Sequence, residues 1–459
     1  MTSHDLIMTI GLLIGGVLAL LGLFRPFLGL VVLIVLHFTQ PGEFVPALDY
    51  VHFERTYGVL LLVAFFAYRV SRSEPSLLSN RVIFACIPLV GAATASIPFA
   101  IWRGGAFWQT TVLIKYVILM VLIVGLVDTN GRMRKVLWLL MGLLVWFAGS
   151  GLTAYLQGKT VFGEGLERAA GVNSMVGGPN ELGGLILALV PFVVALFRCS
   201  RRMSVRLVLL ACAGLALSTL VITGSRTSML GLVAVALYFV LRSRHKLVAI
   251  GLLVVLAFAV WLGMPQRFRA RYLTVRDYAQ GGELDASNEF RIRIWKAGWR
   301  MFLDHPILGV GAGQFPTAYG RIYSGRAHGA WMNPHNLLLQ VGCEMGVVGL
   351  VAFGYFFTQI LKQIRLVPRA DRKSLLELNY QVAVACEAML LGLVAASVVG
   401  HTLYRPYWYL LGGLVAANYS LAQRTGSSPL AAETGKGLEE SEAREFRHAL
   451  PSFLGEKKR

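Results

Sequence analysis

Charge is scarce in this chain. Only 15% of its 459 residues are Asp, Glu, Lys or Arg, while 56% are hydrophobic, and the mean hydropathy is +0.62. A water-soluble globule of this length needs far more polar surface, so that class is excluded. The short alternating segments of a membrane barrel are missing as well. Cysteine is sparse: Cys86, Cys199, Cys212, Cys343 and Cys386 fall in apolar stretches or on one side of them, which leaves no exported disulfide framework. Acidic residues number 24 against 43 basic ones, and that imbalance raises the question of a polyanionic partner.

What is present instead is a series of apolar runs long enough to cross a hydrocarbon core of roughly 30 Å. They lie near 6–23, 26–40, 56–70, 81–101, 107–127, 135–156, 180–197, 207–222, 227–241, 247–263, 336–361, 380–400 and 404–422. The expectation is an all-α, polytopic transmembrane bundle of about 12–13 spans, with the first two paired as a hairpin around Phe24-Arg25-Pro26. The first run is expected to be a retained helix rather than a cleaved signal.

The basic residues crowd alternate connections: Arg69, Arg72 and Arg81; Arg132, Arg134 and Lys135; Arg198, Arg201, Arg202 and Arg206. Arg242, Arg244 and Lys246 continue the pattern, and then Lys362, Arg365, Arg369, Arg372 and Lys373. This is the positive-inside asymmetry, which sets orientation and argues against a nucleic-acid partner. It divides the chain into N-terminal spans (1–263), one large external loop (264–334), C-terminal spans (335–422) and a polar, disordered cytoplasmic tail (423–459). Segments 40–55 and 157–179 are expected on the same outer side as the large loop.

That loop holds ten Arg or Lys against five acids. Long loops tolerate such a bias, but it also suits an anionic substrate. Within it, "SNEFRIRIWKAGWRMFLDHP" has a helical period and a proline stop. Arg293, Lys296 and Arg300 share a solvated stripe. Arg291 lies in a row with Trp295, Trp299 and Phe302, where an arginine is either oriented for binding or simply snorkelling. In "TGSRTSMLGL", Ser225 can cap a helix and place Arg226 in its first turn at the membrane boundary. A functional arginine and a lipid-phosphate contact are both open there.

"MNPHNLLLQVGCEMGVVGL" sets His335 directly before an apolar run. Asn333 is the expected helix cap and Pro334 the first helical residue, which would put His335 and Asn336 in the first turn. The dipole there attracts an anion and disfavours imidazolium, so His335 is expected to be neutral and able to accept a proton. Glu344 lies about half a helical circuit away and roughly 13 Å deeper, and it is read as structural or supporting. Gly342 and Gly346 have the spacing of a close helix–helix contact. "LGVGAGQF" has neither the strand–turn–helix context nor the lysine of a nucleotide loop and is expected to be a tight external turn. His305, His328 and His335 lack ligand spacing, so no metal site and no cofactor are expected.

Three of these blocks, "SRTSMLGL", "FRIRIWKAGWRMFLDHPILGVGAGQF" and "NPHNLLLQVGCEMGVVGL", together with "GGPNELGGLILALVP", resemble the O-antigen ligase and polymerase superfamily. It comprises WaaL-type ligases, Wzy-type polymerases and protein O-oligosaccharyltransferases. The start of the chain, "LFRPFLGLVVLIVLHFTQP", resembles exosortase-associated O-glycosylation ligases. The resemblance implies a metal-independent transferase in a bacterial inner membrane, with its active site facing the periplasm. It would move a glycan from an undecaprenyl-diphosphate carrier to a lipid, glycan or protein hydroxyl. Carried over by position, His335 would be the base, with Arg226 and Arg291 on the diphosphate. Arg293, Asn336 and Asn180 would be further substrate contacts. Two other readings stay open: a polyprenyl-phosphate glycosyltransferase using Glu43, Asp49 or Glu54, and a transporter of lipid-linked or anionic solute.

Overall fold

A computed structural model describes residues 3–50, 52–71, 73, 76–163, 166–269, 286–325, 331–367 and 378–424. His328, the middle of the large loop, the basic residues Arg72, Arg369, Arg372 and Lys373, and nearly all of the polar tail lie outside the described residues. Each of the apolar runs forms a helix, from Ser3–Phe24 and Pro26–Thr39 to Leu378–Ser397 and Pro406–Arg424. Among the described residues, seven helices are long and apolar enough to cross a membrane. The fold is the all-α polytopic bundle the hydropathy pattern requires. The first two helices do pack on each other, and their turn passes so close that a Cβ on Gly22 would collide with the Gly29 backbone.

The centre of the bundle is built on helix Pro179–Cys199, which packs against Met203–Thr223 and Leu378–Ser397. Arg226–Arg242 lies on Leu378–Ser397, Leu337–Leu366 on Arg81–Ser96, and Pro406–Arg424 on Arg103–Leu126. Tyr407, Trp408 and Tyr409 are fully buried at the start of the last helix. Their hydroxyl and indole groups find partners, as burial demands: Glu181 O, Thr402 Oγ1 and Leu403 O. The only sheet among the described residues is a two-stranded hairpin, Val161–Gly163 against Leu166–Arg168. It delivers the buried side chain of Arg168 to one end of the bundle.

Two expectations about glycines are corrected. Gly346 is not a helix-packing residue. It breaks the long helix, with φ 63° and ψ −160°, a region open essentially to glycine alone. The diverted hydrogen bonds go to the stretch following Pro306. Val310 N donates to Cys343 O at 2.8 Å, Gly311 N to Glu344 O at 3.1 Å, and Val347 N to Pro306 O at 2.8 Å. "LGVGAGQF" is accordingly not an external turn but a wedge filling the break, with Val310 and Ala312 fully buried. Positive φ at Gly309, Gly311 and Gly313 lets its backbone press on the helix where a side chain would collide.

Candidate functional site

The ends of several helices, those starting at Pro179, Arg226, Leu337 and Pro406 and the one ending at Ser397, meet at one end of the bundle. Ser225 caps Arg226–Arg242, its Oγ accepting from Ser228 N at 3.3 Å, and this sets Arg226 as the first helical residue, as the sequence predicts. Gly224, at φ 56°, turns the chain sharply out of the preceding helix. Thr223 O accepts from Arg168 Nε at 2.7 Å, and Asn180 Oδ1 accepts from the same guanidinium at 3.0 Å. Arg168 thus locks the hairpin to the ends of two helices, and Asn180 is part of that lock.

His335 stands opposite, and its local setting differs from the expectation. The helix begins at Leu337, with Asn336 as its cap: Oδ1 accepts from Leu339 N at 2.9 Å. The cap lies three residues beyond Asn333 because Asn336 has a second anchor, its Nδ2 donating to Val398 O at 3.0 Å. Trp295 Nε1 donates to Pro334 O at 3.1 Å. Held from both sides, His335 sits ahead of the helix in left-handed backbone, φ 46°, which is uncommon for a residue with a side chain.

His335 is nonetheless disposed to be uncharged. Burial first and the nearby Arg291 charge second lower its pKa to about 4, from an ordinary 6.5. The expected neutrality arises from desolvation and a like charge rather than from a helix dipole. His401 packs edge-on against it, ring centres 5.1 Å apart, and its Nδ1 is buried with no hydrogen-bond partner among the described residues. Burial, then His335, then Arg405 push His401 to about 3. Two uncharged imidazoles therefore share one wall at neutral pH.

That wall belongs to a narrow cleft lined by Asn180, Thr227, Ser228, His335, His401 and Arg405, among others. Its free volume, about 40 Å³, is that of one or two waters, so bulky groups must lie at its rim. Arg405 is clamped by Glu181 Oε1 at 2.8 Å and Met175 O at 2.9 Å. Thr227 Oγ1 reaches Val399 O at 3.4 Å, which closes the Arg226 helix onto the 397–405 connection. On the other side of Asn336 opens an apolar groove of about 460 Å³. Trp295, Trp299, Phe302, Leu338 and Leu339 frame it, so the aromatic row seen in the sequence forms one of its walls.

The structure brings His335 and Asn180 to the cleft and sets Arg291 within electrostatic reach of His335. Arg226 adjoins the lining residues Thr227 and Ser228. Asn336 lies between the cleft and the groove as a structural cap. Arg293 is not brought there: its exposed side chain pairs with Glu289 at 3.1 Å. Glu344 is 1% exposed and lies behind the site, where Gly313 N donates both to its Oε2 and to Tyr404 Oη, each at 3.0 Å. Sequence reasoning missed His401, Arg405, Glu181 and Arg168. The available signal for the first two was "GHTLYRP", four charge-capable or polar groups in a short connection between apolar runs.

Residues 211–354 match the family model described as O-Antigen ligase. Over this stretch the chain is similar to the O-antigen ligase and polymerase superfamily. No curated protein matches the chain. The matched segment contains Arg226, Arg291 and His335, and stops short of His401 and Arg405. Most of the cleft lining, Asn180, Glu181, His401 and Arg405 included, thus comes from outside the matched segment.

Proposed function

We propose that this ligase-type membrane enzyme transfers a glycan from undecaprenyl diphosphate to an acceptor hydroxyl on the periplasmic side, with no metal. The observation that carries the reading is an uncharged, half-buried histidine beside an arginine, lying between a polar cleft and an apolar groove. A lipid diphosphate needs both environments: a cationic rim for the phosphates and an oily channel for the chain. The prenyl chain lies in the Trp295–Leu338 groove, and the diphosphate faces Arg291 and Arg226 at the rim.

In the reaction, His335 takes the proton from the acceptor hydroxyl. The acceptor oxygen forms a bond to the anomeric carbon as the bond from that carbon to the phosphate oxygen breaks. The diphosphate leaves with the electron pair, and the two guanidinium groups stabilise the charge it gains. A base with a pKa near 4 is weak at neutral pH. The arriving diphosphate corrects this, because its negative charges offset Arg291 and raise His335 toward the working range. Asn180 and Asn336 complete the contacts by holding the walls in place.

The test is transfer in proteoliposomes containing lipid-linked glycan, acceptor and chelator. His335→Ala is expected to bind carrier and lose transfer by at least 100-fold. Full activity in that variant would overturn the assignment of the base, and loss of wild-type activity with chelator would overturn the metal-free step.

A further inference from the structure

A second ionisable cluster lies away from the cleft. His37 Nδ1 and Glu54 Oε1 are 2.7 Å apart, and Lys115 Nζ lies 3.2 Å from the same oxygen. These groups come from three apolar helices, Pro26–Thr39, Phe53–Ser71 and Arg103–Leu126. Ionisable groups among such helices are costly and mark function by default. His37 is 2% exposed, and its other ring nitrogen, Nε2, has no partner among the described residues.

The cluster lies between two cavities that share Glu54, Arg55 and Lys115 as walls. One, about 200 Å³ and mostly apolar, runs down past Leu33, Val59 and Ile118, and His37 lines it. The other, about 150 Å³, is polar and opens among Glu43, Asp49 and His52. From the apolar channel toward the polar cavity the order is the shared wall of Arg55 and Lys115, with Glu54 paired to Lys115 and His37, and then the carboxylates Glu43 and Asp49. A phosphate in the polar cavity would meet Glu43 and Asp49 beside Glu54, and an ammonium at the shared wall would meet two cations. A molecule with chain, phosphate and amine in that order meets a complementary group at each level.

We propose that the paired cavities bind a zwitterionic phospholipid with a primary amine: acyl chain in the channel, phosphate at Arg55 and Lys115, ammonium at Asp49 and Glu43. His37 lines the channel, and a polar atom of the ligand there would complete its bare nitrogen. The site is coupled to the cleft through the backbone. Ser174 N donates to Glu43 Oε2 at 2.8 Å, Met175 N to Gln40 Oε1 at 3.2 Å, and Met175 O accepts from Arg405. The inference does not depend on the transfer reaction.

The full chain, purified in detergent, is offered dioleoyl phosphatidylethanolamine, phosphatidylcholine or phosphatidylglycerol, and retained lipid is read by native mass spectrometry. The ethanolamine lipid is expected to be retained at least fivefold over the other two, since a quaternary amine cannot donate to carboxylates and a glycerol head carries no cation. Asp49→Asn should erase the preference for ethanolamine over choline. Ile114→Trp, which fills the channel without touching the ion cluster, should lower retention of all three. Equal retention of the three lipids, a preference for phosphatidylglycerol, or indifference to both substitutions would overturn the proposal. The last result would mark the bound lipid as merely annular.

Discussion

Replacing Gly346 with alanine tests whether the glycine serves a helix break or a helix–helix contact. A Cβ at Gly346 would lie 2.1 Å from Ile307 O and 2.2 Å from its carbonyl carbon, both backbone atoms that cannot rotate away. Relief requires the wedge after Pro306 to withdraw, and with it the bonds Val310 N to Cys343 O and Val347 N to Pro306 O. Left-handed strain contributes about 1–3 kcal/mol, and two hydrogen bonds at roughly 1 kcal/mol each bring the total to about 3–5 kcal/mol. The control is Gly342→Ala, whose Cβ would meet only side chains, the Phe302 ring at 3.3 Å and Leu350 Cδ1 at 3.4 Å; these can shift, so less than about 1.5 kcal/mol is expected. Thermal unfolding in detergent, followed by tryptophan fluorescence, should show a large fall in Tm for Gly346→Ala and a small one for Gly342→Ala. Equal losses would restore the helix-packing reading of the glycine pair, and no loss in Gly346→Ala would refute the described break.

Other expectations follow from the site. Arg291→Ala should raise the pKa of His335 from about 4 toward 6.5, since one of its two depressing causes is removed; the pH dependence of histidine modification by diethyl pyrocarbonate reads the shift. Arg293→Ala, which loses only an exposed pair with Glu289, should leave transfer within about twofold. Because the folded state holds His335 unprotonated, the unfolded chain binds more protons between pH 6.5 and about 4. Stability should therefore fall as pH drops through that window, and His335→Phe should flatten the dependence of Tm on pH. Asn336→Ala should cost about 1 kcal/mol through the lost cap. Asn336→Asp keeps the cap but loses the donor to Val398 O, so a fall in transfer without a matching fall in Tm would show that the second bond positions His335.

Much of this architecture was legible in the sequence because a membrane imposes one dominant rule: apolar runs become helices. Arg226 was found through Ser225, a local cap that depends on no distant residue. The cap before Leu337 was misplaced for the opposite reason. Asn333 and Asn336 look equally fit in sequence, and the choice is made by Val398 O, more than sixty residues away. Gly346 misled in the same way, since the spacing of a packing motif does not reveal that the Pro306 wedge lies against it. His401 and Arg405 escaped notice because their significance rests on His335 and Glu181, which reach them only through the fold.

The diversion of the Val347 and Val348 amides to Pro306 and Ile307 has a mechanical consequence. The segment from Leu337 to the break takes its bearing from the wedge, whereas the longer segment after Gly346 takes its own from the helices around it. The histidine is thus aimed by a loop of the matched domain, and substitutions in that loop should tilt the imidazole without loosening the membrane anchor beneath it.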